Sequence, residues 1–259
     1  MKISIVTIAF NAEATIADAV QSVVNQVGDQ VSDPFELEYI VVDGASTDGT
    51  LAAIEPFRDR ITTVISEPDL GLYDGMNKGV RAATGDFVGI LNADDTYAHN
   101  QVLSKVARLL TTSSADSLYG DLVYVDENDR VVRHWKSGGL RNGKFNPRGF
   151  LSGWMPPHPT FFIRKSAYLK HGSFNLALKS AADYELMLRM LFKHRISSVY
   201  LPEILVRMRT GGVSNASLGN RWRANREDRK AWRLNGLTPR PWTLIAKPLR
   251  KLSQWRKKS

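Results

Sequence analysis

The sequence predicts an α/β protein with a Rossmann-like, largely parallel central sheet and helices on both faces. Three observations predict it. Val- and Ile-rich runs recur at KISIVTIA (2–9), LEYIVVD (37–43), ITTVIS (61–66) and FVGIL (87–91). Helix-spaced apolar segments separate the runs, and the runs themselves are continuously apolar, as strands covered on both faces are.

Each element has its own local warrant. Asn11 stands as an N-cap ahead of Ile16, Ala19, Val20, Val23 and Val24, which share one face of a helix running to about Val27. GASTDGT turns the chain after the second strand, and Asp48 caps a short helix near Leu51 to Phe57. The segment EPDLGLYDGMNKGVRAATG (67–85) holds a loop and a helix that ends with Gly85 in a C′ position. A further helix is predicted from about Asn100 to Leu110, then a hairpin in SLYGDLVYVDENDRVVRHW (117–135) turning at Asp126 to Asp129. Residues 136–157, with several Gly and Pro, read as a long loop over the sheet. TFFIR (160–164) reads as a strand, DYELMLRMLFKH (183–194) as an amphipathic helix, SSVYL and ILVRMR as two short strands, and the last forty residues as a peripheral helical extension.

Composition narrows the chemistry. With 259 residues the chain can bury a core without staples, and with no cysteine it has neither disulfides nor thiolate metal sites. The expectation is a cytoplasmic protein: the first strand begins at Lys2, leaving no leader before it, and no run of about 18 apolar residues exists to span a membrane. The net charge of +9 is concentrated at one end. Residues 221–259 hold 13 Lys or Arg against Glu227 and Asp228, while the first 220 hold 22 basic and 24 acidic residues. A basic tail carrying Trp222, Trp232, Trp242 and Trp255 suits an anionic membrane surface at least as well as nucleic acid, and no nucleic acid is expected as partner. Within it Trp242, Leu244, Ile245, Leu249, Leu252 and Trp255, interleaved with Lys247, Arg250 and Lys251, read as an interfacial helix. The alternative is a basic helix packed on the domain or a partner.

In an open parallel sheet, ligands bind beyond the carboxyl ends of the strands. That rule places Thr7 to Asn11, Asp43 to Thr47, Ser66 to Asp69 and Asn92 to Asp95 on one rim. The first strand leads into AFNAE, with neither G-x-G-x-x-G nor G-x-x-x-x-G-K-[ST], which argues against a dehydrogenase and a P-loop NTPase. A nucleoside diphosphate held without a glycine cradle needs a hard cation. Asp94 and Asp95, with no Lys or Arg for several residues on either side, suit Mg2+ or Mn2+. Asp95 has a second reading, as the cap of a helix beginning near Thr96.

TIAFNAEATIADAVQSVVNQ, EYIVVDGASTDGT and GLYDGMNKGVRAATGDFVGILNADD resemble, in order and spacing, the N-terminal half of family 2 glycosyltransferases, which have the GT-A fold. The pairing of GLYDGMNKG with LNADD looks most like bacterial enzymes of exopolysaccharide, capsule or O-antigen synthesis. The resemblance implies a nucleotide-sugar-binding half over 1–115 and an acceptor-binding half over 116–217, while the basic, Trp-containing extension over 218–259 lies outside it. It implies an inverting transfer from a UDP- or GDP-sugar to a saccharide hydroxyl, and together with the basic tail it points to a lipid-linked acceptor at the inner-membrane surface.

The resemblance also implies roles. Thr7 and Asn11 lie beside the nucleotide, and Asp43 binds base or ribose unless it only makes an Asx turn with Ala45 or Ser46. Asp74 and Asn77 border the donor pocket, Asp74 with a helix-start role as its alternative. Asn92 replaces the first acid of the usual D-x-D and turns to ribose, which leaves the metal to Asp94 with Asp95. Asp183 is the catalytic base, with Glu185 as runner-up; Ala182 stands where the family usually has another acid. His158 and Arg209 are assigned to acceptor or diphosphate, with a structural His and a surface turn as alternatives. The rivals are a sugar-nucleotide-binding module, a nucleic-acid binder using the tail, and a nucleotidyltransferase-like enzyme.

Overall fold

Strands apolar on both faces need two cover layers. The computed structural model, which describes residues 1–26, 35–138, 145–210, 218–244 and 246–247, provides them. β1 (Lys2–Ala9), β2 (Glu36–Asp43), β3 (Thr63–Ser66) and β4 (Phe87–Asn92) pair in parallel in the order β3-β2-β1-β4. α1 (Ile16–Val24), α2 (Thr50–Ile54) and α4 (Val102–Ser113) bury Val20, Ile54 and Val106 with Ile3, Ile5, Tyr39 and Leu91 on one face. α3 (Leu72–Ala82), α5 (Lys165–His171) and α6 (Ala182–Met187) bury Met76, Tyr168 and Leu186 with Val6, Ile8, Val42 and Ile90 on the other.

The sheet continues through β8 (Phe162–Arg164), which runs antiparallel between β4 and β6 (Ser117–Val125). β9 (Ser198–Arg209) lies parallel to β6, β5 (Asp95–Tyr97) pairs antiparallel at its far edge, and β7 (Val131–Trp135) forms the predicted hairpin with β6. Two predicted short strands are thus one. Pro202 cannot donate to a ladder, and β9 passes it with a shift of register between Gly120↔Leu201 and Asp121↔Ile204.

Other expectations are corrected by tertiary contacts. Asn11 does not cap α1; it takes a left-handed backbone with φ of 48°, and α1 starts at Ile16. Residue 27, the expected helix end, lies outside the described residues. α3 ends at Ala82, before Gly85. Gly85 serves a close approach instead: a Cβ there would lie 2.8 Å from the Ser4 amide nitrogen and 2.9 Å from the Lys2 carbonyl oxygen. Asp95 caps no helix, because Asp95–Tyr97 is a strand and the next helix begins at Val102. TFFIR is strand only from Phe162, the residues before it forming a 3-10 turn over His158–Thr160.

The C-terminal segment is not peripheral where it is described. α7 (Leu218–Leu234) sends Ala231 and Trp232 into the core, and the Trp232 indole donates to the Tyr184 hydroxyl at 2.8 Å. Leu244 is buried in the same cluster, and Lys247 pairs with Asp228 at 2.7 Å. Two residues of the expected interfacial helix therefore pack on the domain. Ile245 and residues 248–259 lie outside the described residues.

Candidate active site

Register sets the rim. Ala9 is level with Asp43, Asp43 with Ser66, and Ile8 with Asn92, so four strand ends share one edge. β1 lies between β2 and β4, so the chain reverses its order across the sheet there, which is where open sheets carry their clefts. The loops are stitched to each other. Asp43 is fully buried and accepts the Ser46 amide at 3.1 Å and the Ser66 hydroxyl at 2.7 Å. Asn11 accepts from Thr47 N–H at 2.9 Å, while its own N–H donates to the Ser46 hydroxyl.

Several implied donor contacts are occupied otherwise. Thr7 does not reach the crevice: it is fully buried and its hydroxyl accepts from Tyr39 at 3.0 Å. In a strand of period two it shares the face of Ile3, Ile5 and Ala9, beneath α1. Asn77 is buried, with its amide oxygen accepting the Phe174 N–H at 2.8 Å and its amide nitrogen donating to the Phe174 carbonyl at 2.9 Å. It fastens α3 to the chain before α6. Asp74 accepts the Leu70 N–H at 3.1 Å and so holds the turn into α3. Asn92 donates to Asp95 Oδ2 at 2.8 Å, which gives the amide a protein partner in place of a free ribose contact.

Asp94 and Asp95 are different groups. Burial raises the Asp94 carboxyl above its ordinary range, and the Arg209 guanidinium draws it back. Arg209 acts on it by charge alone, and among the described residues no other side chain is hydrogen-bonded to Asp94. Asp95 is fully buried and raised well above the usual range by burial and by the Asp94 charge, against the Asn92 amide and the Arg209 backbone. Its Oδ1 is buried without a partner among the described residues. No cluster of three or more His, Cys, Asp or Glu exists among the described residues. The donor set still fits a magnesium-type ion, which takes one or two carboxylates and fills its other positions with phosphate oxygens and water.

α1 and the residues just past its end brace this corner, Asp18 and Ser22 from one face of the helix and Gln26 from beyond its C-terminus. Asp18 pairs with Arg209, the Ser22 hydroxyl accepts the Tyr97 N–H at 3.1 Å, and Gln26 donates to the His99 carbonyl at 2.8 Å. The Gln26 amide oxygen also accepts Leu103 N–H at 3.0 Å, which caps α4 from outside the helix.

Asp183 enters from the other side. It lies in the first turn of α6, half-buried, and accepts from the Tyr73 hydroxyl at 3.0 Å. Tyr73 stacks on Phe174 at 5.7 Å, and His158 meets the edge of Phe174 at 5.5 Å. Burial lowers the His158 imidazole while the Asp183 charge raises it, so His158 belongs to this cluster. Glu185 is removed as a base: it is buried, bridges Arg189 at 2.9 Å and accepts from Asn235 at 2.8 Å. Burial raises the Tyr124 phenol, which Arg133 lowers and the charges of Asp95 and Asp183 raise further. Tyr124 thus stands within electrostatic reach of both carboxylates.

The model of "Glycosyl transferase family 2" matches residues 4–172. The chain belongs to glycosyl transferase family 2. A "PGL/p-HBAD biosynthesis glycosyltransferase" of Mycobacterium bovis is 27% identical over 98% of this chain and 97% of its own length. An "Uncharacterized glycosyltransferase" of Mycobacterium tuberculosis is 32% identical over 72% of this chain and 68% of its own. Among solved structures, S. aureus TarS 1–349 in complex with UDP superposes with a TM-score of 0.71 at 21% identity, over 98% of this chain and 72% of that one. Mannosyltransferase PcManGT from Pyrobaculum calidifontis, in complex with GDP-Man and Mn2+, superposes with a TM-score of 0.66 at 17% identity, over 95% and 68%. The fold is GT-A, and the chain is a glycosyltransferase.

Within this family 2 chain, three residues received no role of their own in the sequence reading, although Asp69 was placed on the rim. Asp69 is wedged between two glycines: a Cβ on Gly44 would lie 2.7 Å from its Oδ2, and one on Gly75 at 3.2 Å. Tyr73 stands inside the quoted GLYDGMNKG, yet nothing local shows that it reaches a carboxylate 110 residues on. Tyr124 sits in a β6 run of unbroken burial, where its hydroxyl has no sequence signature.

Proposed function

We propose that the chain transfers a sugar, with inversion, from a nucleoside-diphosphate donor to a hydroxyl of a lipid-linked saccharide in cell-surface polysaccharide synthesis. One observation carries this reading: Asp94, just beyond the carboxyl end of β4, has no hydrogen-bonded protein partner among the described residues, and Asp183, held by Tyr73, acts with Asp95 on the same Tyr124 phenol. Asp94, with Asp95, would hold a Mg2+ or Mn2+ on the donor diphosphate, where such an ion offsets the charge on the departing nucleotide. The Asp43 loop lies where base and ribose would sit, its Asx geometry fixing the turn rather than excluding a ligand. Arg209, at the end of β9, supplies a cation whose charge acts on Asp94, for the diphosphate.

Asp183 accepts the proton of the acceptor hydroxyl as the new bond to the anomeric carbon forms. A carboxylate within hydrogen-bond reach makes that weak nucleophile competent. The Tyr73 hydroxyl fixes Asp183 Oδ1 and leaves Oδ2 for the acceptor. The experiment is Asp183→Asn with a panel of UDP- and GDP-sugars: nucleotide affinity stays and turnover falls at least about a hundredfold. Wild-type turnover in that variant would remove Asp183 from the role.

A further inference from the structure

We propose that the surface formed by the ends of α5 and of the π turn Leu188–Lys193 is a docking site for an anionic lipid bilayer, separate from the basic C-terminus. The two helix ends meet at His171 and His194, whose rings stack at 4.0 Å with 20° between planes. Lys170, Lys193, His194 and Arg195 are exposed around the stack. Arg189 beneath it donates to the Gly172 carbonyl at 2.8 Å and to Glu185. Among the described residues Lys170, Lys193 and Arg195 have no ion-pair partner. The flanking sequence supplies none either, since residues 165–182 and 186–202 contain no Asp or Glu.

Cations gathered without counter-charge attract any polyanion, so the occupant must be chosen by another feature. Leu169, beside Lys170, is 77% exposed. An exposed leucine next to a lysine has no task on a phosphodiester backbone but inserts readily at a bilayer interface, where a lysine stem can lie along it. The position is also apt. Phe174 lies three positions after His171, a reach of at most about 10 Å, and it stacks on the tyrosine that holds Asp183. The bilayer would thus lie beside the Asp183 side of the crevice. The inference deepens the lipid-linked acceptor proposed above, but its measurement requires neither donor nor acceptor, so either reading can fail alone.

The test is co-sedimentation of the full chain with phosphatidylcholine vesicles, with and without phosphatidylglycerol. The expected result is binding to the anionic vesicles only. Lys193→Glu with Arg195→Glu should lower partitioning roughly thirtyfold, near a factor of five per basic residue. Leu169→Ser should lower it about tenfold without changing charge. Unaltered melting temperatures show that both variants fold, and Lys170→Glu replaces the double variant if it does not. Wild-type partitioning in the Leu169 and Lys193/Arg195 variants overturns the proposal, as does absence of vesicle binding by the unaltered chain. Oligonucleotide binding that the double variant loses and Leu169→Ser keeps, without vesicle binding, overturns it in favour of nucleic acid.

Discussion

At the scale of single residues, the two adjacent carboxylates of LNADD divide their work according to burial. Asp95 is a fully buried strand residue held by Asn92, whereas Asp94 lies at the rim with, among the described residues, the Arg209 charge to balance it. Asp94→Ala should therefore weaken Mn2+-dependent binding of a nucleoside diphosphate by about tenfold to a hundredfold, the scale of a lost contact to a charged group. Calorimetry with and without Mn2+ checks this, and equal affinity for variant and wild type would place the metal elsewhere. Asp18 acts one step further out. It touches Arg209 rather than the rim, and the pair is partly exposed, with side-chain exposures of 42% and 56%. An exposed ion pair contributes up to ~1 kcal/mol, so Asp18→Asn should raise the donor KM by up to about fivefold with kcat kept. The effect should fade in high salt; a salt-independent fall in kcat would contradict a positioning role.

At the scale of elements, local pattern and tertiary contact part company at identifiable places. Four parallel strands were legible because buried strands must be apolar on both faces, and their ends gave the rim because register in a parallel sheet follows those runs. Asp94 could be singled out by its place at a strand end, and Asp183 through the family resemblance. Thr7 and Asn77 could not be excluded, because a rim position does not reveal which face a strand residue takes or that a backbone 97 residues away uses up an amide. Asp95 read as a helix cap because D-D-T-Y carries that signature, while the strand it forms exists only through pairing with β9. The bracing of that strand by α1 is non-local in the same way. Gln26→Ala leaves the Leu103 N–H and His99 carbonyl without their partner inside the fold. It should cost about 1–3 kcal/mol, read as a lower urea midpoint at unchanged slope. A neutral result would mean that water replaces the amide and that α4 needs no cap from Gln26.

At the scale of the whole molecule, the two ends of the parallel sheet carry carboxylates of opposite temper. At the carboxyl ends, Asp94 and Asp95 are raised, so the stability they lend in the protonated form is lost as pH rises through their folded values. At the amino ends, Glu38 is 6% exposed, and burial alone would push it up. Hydrogen bonds from Ser4, from the Thr84 hydroxyl and N–H at 2.7 Å, and from Lys2 at 3.3 Å overcome that cost and hold it at about 2 against an ordinary 4.5. Because the folded value is depressed, the stabilisation is present above pH 4.5 and lost as pH falls toward 2. A displacement of this size corresponds to about 3 kcal/mol. Glu38 ties β2 to β1 and to the loop entering β4, so its loss loosens the end of the sheet opposite the crevice. Glu38→Gln should destabilise the chain by roughly that amount at pH 7, and the gap should close as both proteins are unfolded in urea at pH values descending from 5 to about 2.5. A gap that stays constant over that window would mean that packing of the side chain, and not its charge, secures the amino ends of the strands.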